Sequence, residues 1–205
     1  MRTRHLILQA AAEEFEDRGY LGTRLQDIVN PQDVSKGALY FHFPSKEALA
    51  VAVVQEHYDL WSAALTRLRV RHPRAIRLML EWSWHIARLF RDDVMIRAAV
   101  RLEFERHLIG PSMPSPFAGW SAAIEELLNE AMAQGDLMPD VDVTTVADFI
   151  VAAFAGLQQA STAQSGCADL LQRVATMWRC VLPGVVTATC LAELASLVAG
   201  PGDDL

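Results

Sequence analysis

The stretch VSKGALYFHFPSKEALA, Val34 to Ala50, holds both lysines of the chain, Lys36 and Lys46, around four consecutive ring side chains, Tyr40 to Phe43. Every other basic position that is not histidine is arginine. Ser35 is a good N-cap for a short helix over Ser35 to Tyr40, because its hydroxyl can accept from a first-turn amide. Pro44 and Ser45 open a second, longer helix in the same way. Gly37 and Ala38 are small enough to let the first of these helices approach a surface closely.

On the N-terminal side, Leu6, Ile7, Ala10, Ala11, Glu14 and Phe15 recur at helical spacing. Gly19 in "RGY" marks a left-handed stop. Thr23 reads as the N-cap of a short helix over Arg24 to Val29, which Pro31 ends. The result, "LQDIV-NPQD-VSKGALYF", has helix-turn-helix spacing, two short helices joined by a four-residue turn. The second helix would lie in a DNA major groove, with Lys36 at its exposed end facing a guanine edge or a phosphate. Tyr40 and His42 offer polar tips to phosphate oxygens. Lys46 sits in the first turn of the next helix, where free amides attract an anion. Phe41 and Phe43 lack polar tips and are expected to pack the core of the small module.

The fuller pattern, "AAAEEFEDRGY" followed by Thr23, "DIV", "VSKGALYFHF" and "KEAL", resembles the DNA-binding domain of the TetR family of bacterial repressors. That resemblance implies DNA contacts from Thr23, Arg24, Lys36, Gly37, Tyr40, His42 and Lys46, with Ser35 at the helix cap counted among them. One departure stands at the turn. Members usually carry "AGV", where this chain has Gln32-Asp33-Val34 after Asn30-Pro31. Asp tolerates the left-handed region, and it adds a negative charge near DNA. Further on, "MPSPFAGW", "DLMPDVDVTTVADFIVAAFAG" and "ATMWRCVLPGV" are similar to the γ-butyrolactone receptor subgroup of that family, known from Streptomyces. The resemblance implies a ligand-responsive repressor and points to Trp120 as a ligand contact.

Net charge is −7 and the isoelectric point about 5.3, so the chain is no broadly basic nucleic-acid binder. The first fifty residues hold six Lys and Arg against seven Asp and Glu. Binding to DNA must come from a local patch. Apolar runs broken by charge fall short of the ~20 residues a bilayer span needs. The N-terminus lacks the cleavage pattern of a signal peptide. Cys167, Cys180 and Cys190 are odd in number and far apart, which fits reduced thiols in a cytoplasmic protein.

Helical periodicity continues to the C-terminus, so the expected fold is all-α. It would comprise a helix-turn-helix DNA-binding domain over residues 1–50 and a helical ligand-binding and dimerisation domain over 51–205. A helix from Ser45 to about Val70 would connect them. Trp82, Phe104, Trp120, Phe154 and Trp178 come from different helices and could line an apolar cavity for a small amphipathic ligand, with Gln158 supplying a polar group. The apolar helix over Val143 to Thr162 and its successor over Ala168 to Leu182 would pair across a two-fold axis as a four-helix bundle. Glu81 with His85, and Glu103 with His107, read as solvated pairs rather than metal ligands. No cofactor is expected. The sequence holds no nucleophile–base pair and no phosphate loop, so an enzyme is not expected. The partners implied are a pseudo-palindromic operator, a second copy and a small signalling molecule. An antibiotic, furan or butenolide ligand, or an interaction module that no longer binds DNA, are the other readings.

Overall fold

The structure, a computed structural model, describes residues 2–28, 34–114 and 116–198, without the side chains of residues 2 and 116–118. The described residues form helices α1 (Arg2–Gly22), α2 (Lys36–His42), α3 (Lys46–Arg71), α4 (Ala75–Asp92), α5 (Val94–Phe104), α6 (Arg106–Ile109), α7 (Pro116–Ala133), α8 (Val143–Ser165), α9 (Leu170–Val181) and α10 (Ala188–Val198). Short 3-10 turns stand at Leu25–Asp27 and Leu182–Gly184. The all-α expectation holds, with one isolated bridge between Leu137 and Val186.

The helices divide into two compact units, Met1–Ser62 with Asp92–Ser115, and Ala63–Arg91 with Pro116–Leu205. The contacts do not part at residue 50. The reason is α5, whose Met95, Ala98, Ala99 and Leu102 join Ile7, Leu8, Ala11, Ala12 and Phe15 of α1 in one buried core. A single continuous helix, α3, belongs to both units.

In the N-terminal unit, α1 turns at Gly19, where φ is 69°. A side chain there would be strained by that φ and would meet the Arg101 guanidinium and Glu105 carboxylate at 2.7 Å. These two groups occupy the corner because the turn exposes backbone. Glu105 accepts from the Tyr20 amide at 2.6 Å, and Arg101 donates to the carbonyls of Glu16 and Asp17. Arg97 adds an ion pair to Glu16 at 3.1 Å. Helix α5 is separated from α6 at Glu105, which holds φ −84° and ψ 7° while its side chain serves Tyr20.

The segment after α1 is tied down by Lys46. Its ammonium donates to the carbonyls of Tyr20 at 2.7 Å and Thr23 at 2.9 Å, and lies 4.2 Å from the Tyr20 ring centroid. Thr23 is buried, and its hydroxyl donates back to the Gly19 and Glu14 carbonyls at 2.9 and 3.1 Å. It therefore caps no following helix. The N-cap of the Leu25–Asp27 turn is Arg24, without a side-chain bond. The expected stop at Pro31 and the Asn30 to Asp33 turn lie outside the described residues. After them, Ser35 caps α2 as expected, its Oγ accepting from the Ala38 amide at 3.1 Å. Ser45 does the same for α3 at the Ala48 amide.

Beneath α3 and α5 lies a buried polar group. Glu103 is 5% exposed, and burial raises its pKa from 4.5 to about 7, opposed by a hydrogen bond from Tyr58. Its reading as a solvated partner of His107 is thus corrected: α5 turns Glu103 inward, while His107 is exposed. On the neighbouring turn of α3, His57 is buried against Trp61 at a centroid distance of 4.5 Å, and burial holds its pKa near 3.

In the C-terminal unit, α4 is buried along Ile76, Leu78, Met79, Leu80, Trp82, Trp84, Ile86 and Ala87. The α7–α8 loop is pinned by buried Asp136, which pairs with Arg74, and by backbone bonds from Met138 to Val185 and from Thr187 to Asp136. Asp169 closes the α8–α9 corner. Hydroxyls of Ser161 and Ser165, with Arg173, hold its pKa down to about 2.

Helix α8 carries one charge, Asp148, in 23 residues, and by length and mean hydropathy (1.3) it is long and apolar enough to cross a membrane. This corrects the expectation that no segment reaches that length. The same chain already buries Ala147, Ile150, Val151, Gln158 and Ser161 of α8. Its other side is open: Phe149 is 59% exposed, and with Ala153, Gly156, Leu157, Thr176, Cys180 and Val181 it borders a groove between α8 and α9.

Two stability outcomes follow. Lys46→Met removes two charge-assisted bonds to backbone carbonyls, and urea unfolding should show a loss of about 1–3 kcal/mol; a variant as stable as the parent would contradict the tie. Glu103→Gln should stabilise the protein above pH 7. The folded carboxyl keeps its proton up to about pH 7 whereas the unfolded one releases it near 4.5, so stability falls as pH rises between those values. The gain from the variant should reach roughly 3 kcal/mol at pH 8 and disappear near pH 4. An equal gain at both pH values would show that the charge is not its source.

Candidate nucleic-acid interface and ligand cavity

The seven residues of α2 are short enough for one inward anchor. Leu39 is buried, while Lys36, Gly37 and Tyr40 are exposed and His42 half-buried. A Cβ on Gly37 would meet only the Ser35 hydroxyl, at 3.9 Å, so this side of the helix is open to a close-approaching surface. Arg24 is exposed as well. Of the eight side chains read as DNA contacts, Arg24, Ser35, Lys36, Gly37, Tyr40 and His42 therefore reach solvent.

Thr23 and Lys46 do not fit that role. The Thr23 hydroxyl is 1% exposed as part of its residue and already committed to two carbonyls. The Lys46 ammonium faces inward on Tyr20 and Thr23. Both position the helices rather than offering a donor to phosphate. The ring cluster also divides differently from expectation. Phe43 is buried, but Phe41 is 84% exposed, with its ring centroid 5.3 Å from that of His42. The i, i+2 offset between Phe41 and Phe43 crosses the helix end, so one ring packs and the other does not. Phe41 is an apolar member of the exposed face that sequence reasoning assigned to the core.

In the C-terminal unit, Trp82 and Met79 of α4, Trp120 and Ile124 of α7, Phe154 of α8, and Trp178 and Met177 of α9 line one cavity. Four of the six residues expected at a ligand site thus come together. Phe104 does not join them: it belongs to the N-terminal unit and is 42% exposed. Gln158 is buried but turned along its own helix, with Nε2 donating to Thr162 Oγ1 at 2.9 Å. It follows Phe154 by four residues, yet the cavity ends before it.

Ser83, which the sequence did not single out, also lines the cavity. Its hydroxyl accepts from the Trp178 indole at 2.8 Å and donates to the Leu80 carbonyl at 2.7 Å. This chain fixes the Trp178 ring and leaves its N–H engaged. The cavity volume is about 30 Å³, room for about one water. Admitting a larger molecule requires the rings to separate. Among the described residues, no group of three or more His, Cys, Asp or Glu side chains could hold a metal ion.

Comparison with known proteins agrees with both halves. Residues 7–53 match the family model "Bacterial regulatory proteins, tetR family", and residues 74–187 match "Tetracyclin repressor-like, C-terminal domain". The A-factor receptor protein of Streptomyces griseus is 34% identical over 194 residues, covering 95% of this chain and 67% of that protein. A solved γ-butyrolactone receptor described as ArpA-like is 31% identical, with a TM-score of 0.81 over 97% of this chain and 95% of the other. The TetR-family protein CprB of Streptomyces coelicolor, solved in complex with its biological operator sequence, is 32% identical, with a TM-score of 0.85 over the same shares. With a helix-turn-helix model on the N-terminal unit and a family model over more than half the chain, the protein belongs to the TetR family of bacterial regulatory proteins.

Proposed function

We propose that this protein is a transcriptional repressor that releases its operator on binding a small γ-butyrolactone-like signalling molecule. The convergence of Trp82, Trp120, Phe154 and Trp178 on one cavity supports this reading most directly, in a chain that exposes Lys36, Gly37 and Tyr40 on a Ser35-capped helix. Flat indole faces suit a lactone ring with an acyl chain, and little else in the cavity would hold a charged ligand.

Two copies pair through the open sides of α8 and α9, which leave Phe149, Gly156 and Cys180 exposed in the single chain. The pair sets two α2 helices about 34–36 Å apart, one turn of DNA, on a pseudo-palindromic operator. The repressor acts in the bacterial cytoplasm, where the operator is. Ligand entry pushes the rings apart and favours a conformer with the wrong spacing. Moving the operator from nearly full to nearly empty requires a preference of roughly 5.5 kcal/mol for that conformer. Helix α3, continuous through both units, carries the change.

Lys36→Ala should weaken promoter binding by about 1–3 kcal/mol, roughly 5- to 150-fold. The parent complex should weaken steeply with salt as counterions compete for phosphate. Unchanged binding in Lys36→Ala would argue for a module that does not read DNA. Trp120→Ala should bind the promoter as the parent does yet fail to let go when synthetic butyrolactone is added. A parent complex that resists butyrolactones, butenolides, furans and antibiotics alike would sink the proposal.

A further inference from the structure

A second charged feature lies within the C-terminal unit, away from the ring-lined cavity. Ala64, Arg67, Leu68 and Arg71 on the last turns of α3 and His85 on α4 line a cleft of about 160 Å³. The α3 residues follow one another at three- and four-residue spacing, so they form one stripe. Arg88 stands three residues after His85 on α4. Arg67 and Arg88 both lie close enough to disfavour the imidazolium of His85, adding to the burial that lowers its pKa from 6.5.

Four other arginines of this unit are matched by acids, while Arg179 donates to the Thr176 hydroxyl. Arg69 pairs with Glu126 and Glu130, Arg74 with Asp136, Arg77 with Glu81, and Arg173 with Asp169. No carboxylate lines the cleft, and among the described residues Arg67, Arg71 and Arg88 have no ion pair. Acids are plentiful in a chain of net charge −7, so three cations gathered around a half-buried imidazole without one is a departure that needs a cause. Like charges held together repel, and a guanidinium fork matches oxygen anions in two-point fashion. The nearest acid on α4, Glu81, stands one turn before His85 and is turned to Arg77.

We propose that this cleft is a binding site for a small doubly charged oxyanion, a phosphate group or a dicarboxylate. Arg67 and Arg71 hold it from α3, Arg88 closes from α4, and His85 donates a hydrogen bond from the floor. Buried Ala64 and partly buried Leu68 make one wall apolar, so the site favours a compact anion over an extended chain. The anion would join the end of α3 to α4 as a second effector, chemically distinct from an uncharged lactone.

The test uses the full-length protein at constant ionic strength. Inorganic phosphate and succinate are titrated by calorimetry and by thermal melting, with sodium chloride as the reference. At a hundredfold excess over the dissociation constant, one or both should raise the melting temperature by roughly 5 °C. Arg67→Gln with Arg88→Gln should weaken that binding by at least about tenfold. Exposed Arg71→Gln, which is not needed for packing, should weaken it too, and guards against misfolding of the double variant. Response to phosphate alone assigns the site to phosphorylated compounds, and to succinate alone assigns it to carboxylates. No response beyond chloride, or equal responses in parent and variants, overturns the proposal. So does weakened promoter binding in these variants without any anion response, since the patch would then be reading DNA backbone.

Discussion

The ammonium of Lys46 is the joint on which the N-terminal unit depends. One cation at the start of α3 reaches two carbonyls, of Tyr20 and Thr23, and lies over the Tyr20 ring. The Tyr20 carbonyl stands just after the Gly19 kink in the last turn of α1, and the Thr23 carbonyl just beyond its end, where backbone acceptors lack partners within the helix. Thr23 completes the arrangement by returning its hydroxyl to Gly19 and Glu14. The end of α1 is thereby tied to the start of α3, and the segment that leads toward α2 has a fixed origin. Arg101 and Glu105 secure the same corner from α5. A side chain that looks like a free cation in a basic motif is in fact the fastening that lets its neighbours present Lys36 and Tyr40.

A comparable economy of polar groups shapes the C-terminal unit. The ring-lined cavity contains one prominent hydroxyl, Ser83, and that hydroxyl is engaged by Trp178 and Leu80. The rings are therefore held at defined angles in a cavity of about 30 Å³. A ligand that opens it must replace ring–ring contact with ring–ligand contact, which favours a flat, mostly apolar molecule. On the opposite side of α8, the small residues and Phe149 remain uncovered. Because α8 serves both the cavity, through Ile150, Val151 and Phe154, and the open groove, through Phe149 and Ala153, displacement of its inner side would be felt on its outer side.

Local signals in the chain were sufficient for much of this. Ser35 and Ser45 announce their helices, because a capping hydroxyl acts on amides only three residues away. Gly19 marks its turn for an equally local reason, the absence of a Cβ at positive φ. The lack of a polar tip assigns Phe43 inward, and the aromatic content suggests a cavity that Trp82, Trp120, Phe154 and Trp178 do share. Where the signal concerned the direction of a long or ambivalent side chain, it failed. Phe41 was expected inside and Glu103 outside, and each is the reverse.

By itself, then, the sequence determined the helical class, the Ser35 and Ser45 caps and most of the residues able to face DNA or a ligand, since all of these arise from near neighbours along the chain. Only the tertiary structure decided that Lys46 and Thr23 serve backbone carbonyls, that α5 joins the N-terminal unit, that Phe104 and Gln158 stay out of the cavity, and that Arg67, Arg71 and His85 share a cleft. Those outcomes depend on which distant acceptors, rings and charges the folded chain brings within a few ångströms, and no periodicity along the sequence encodes that choice.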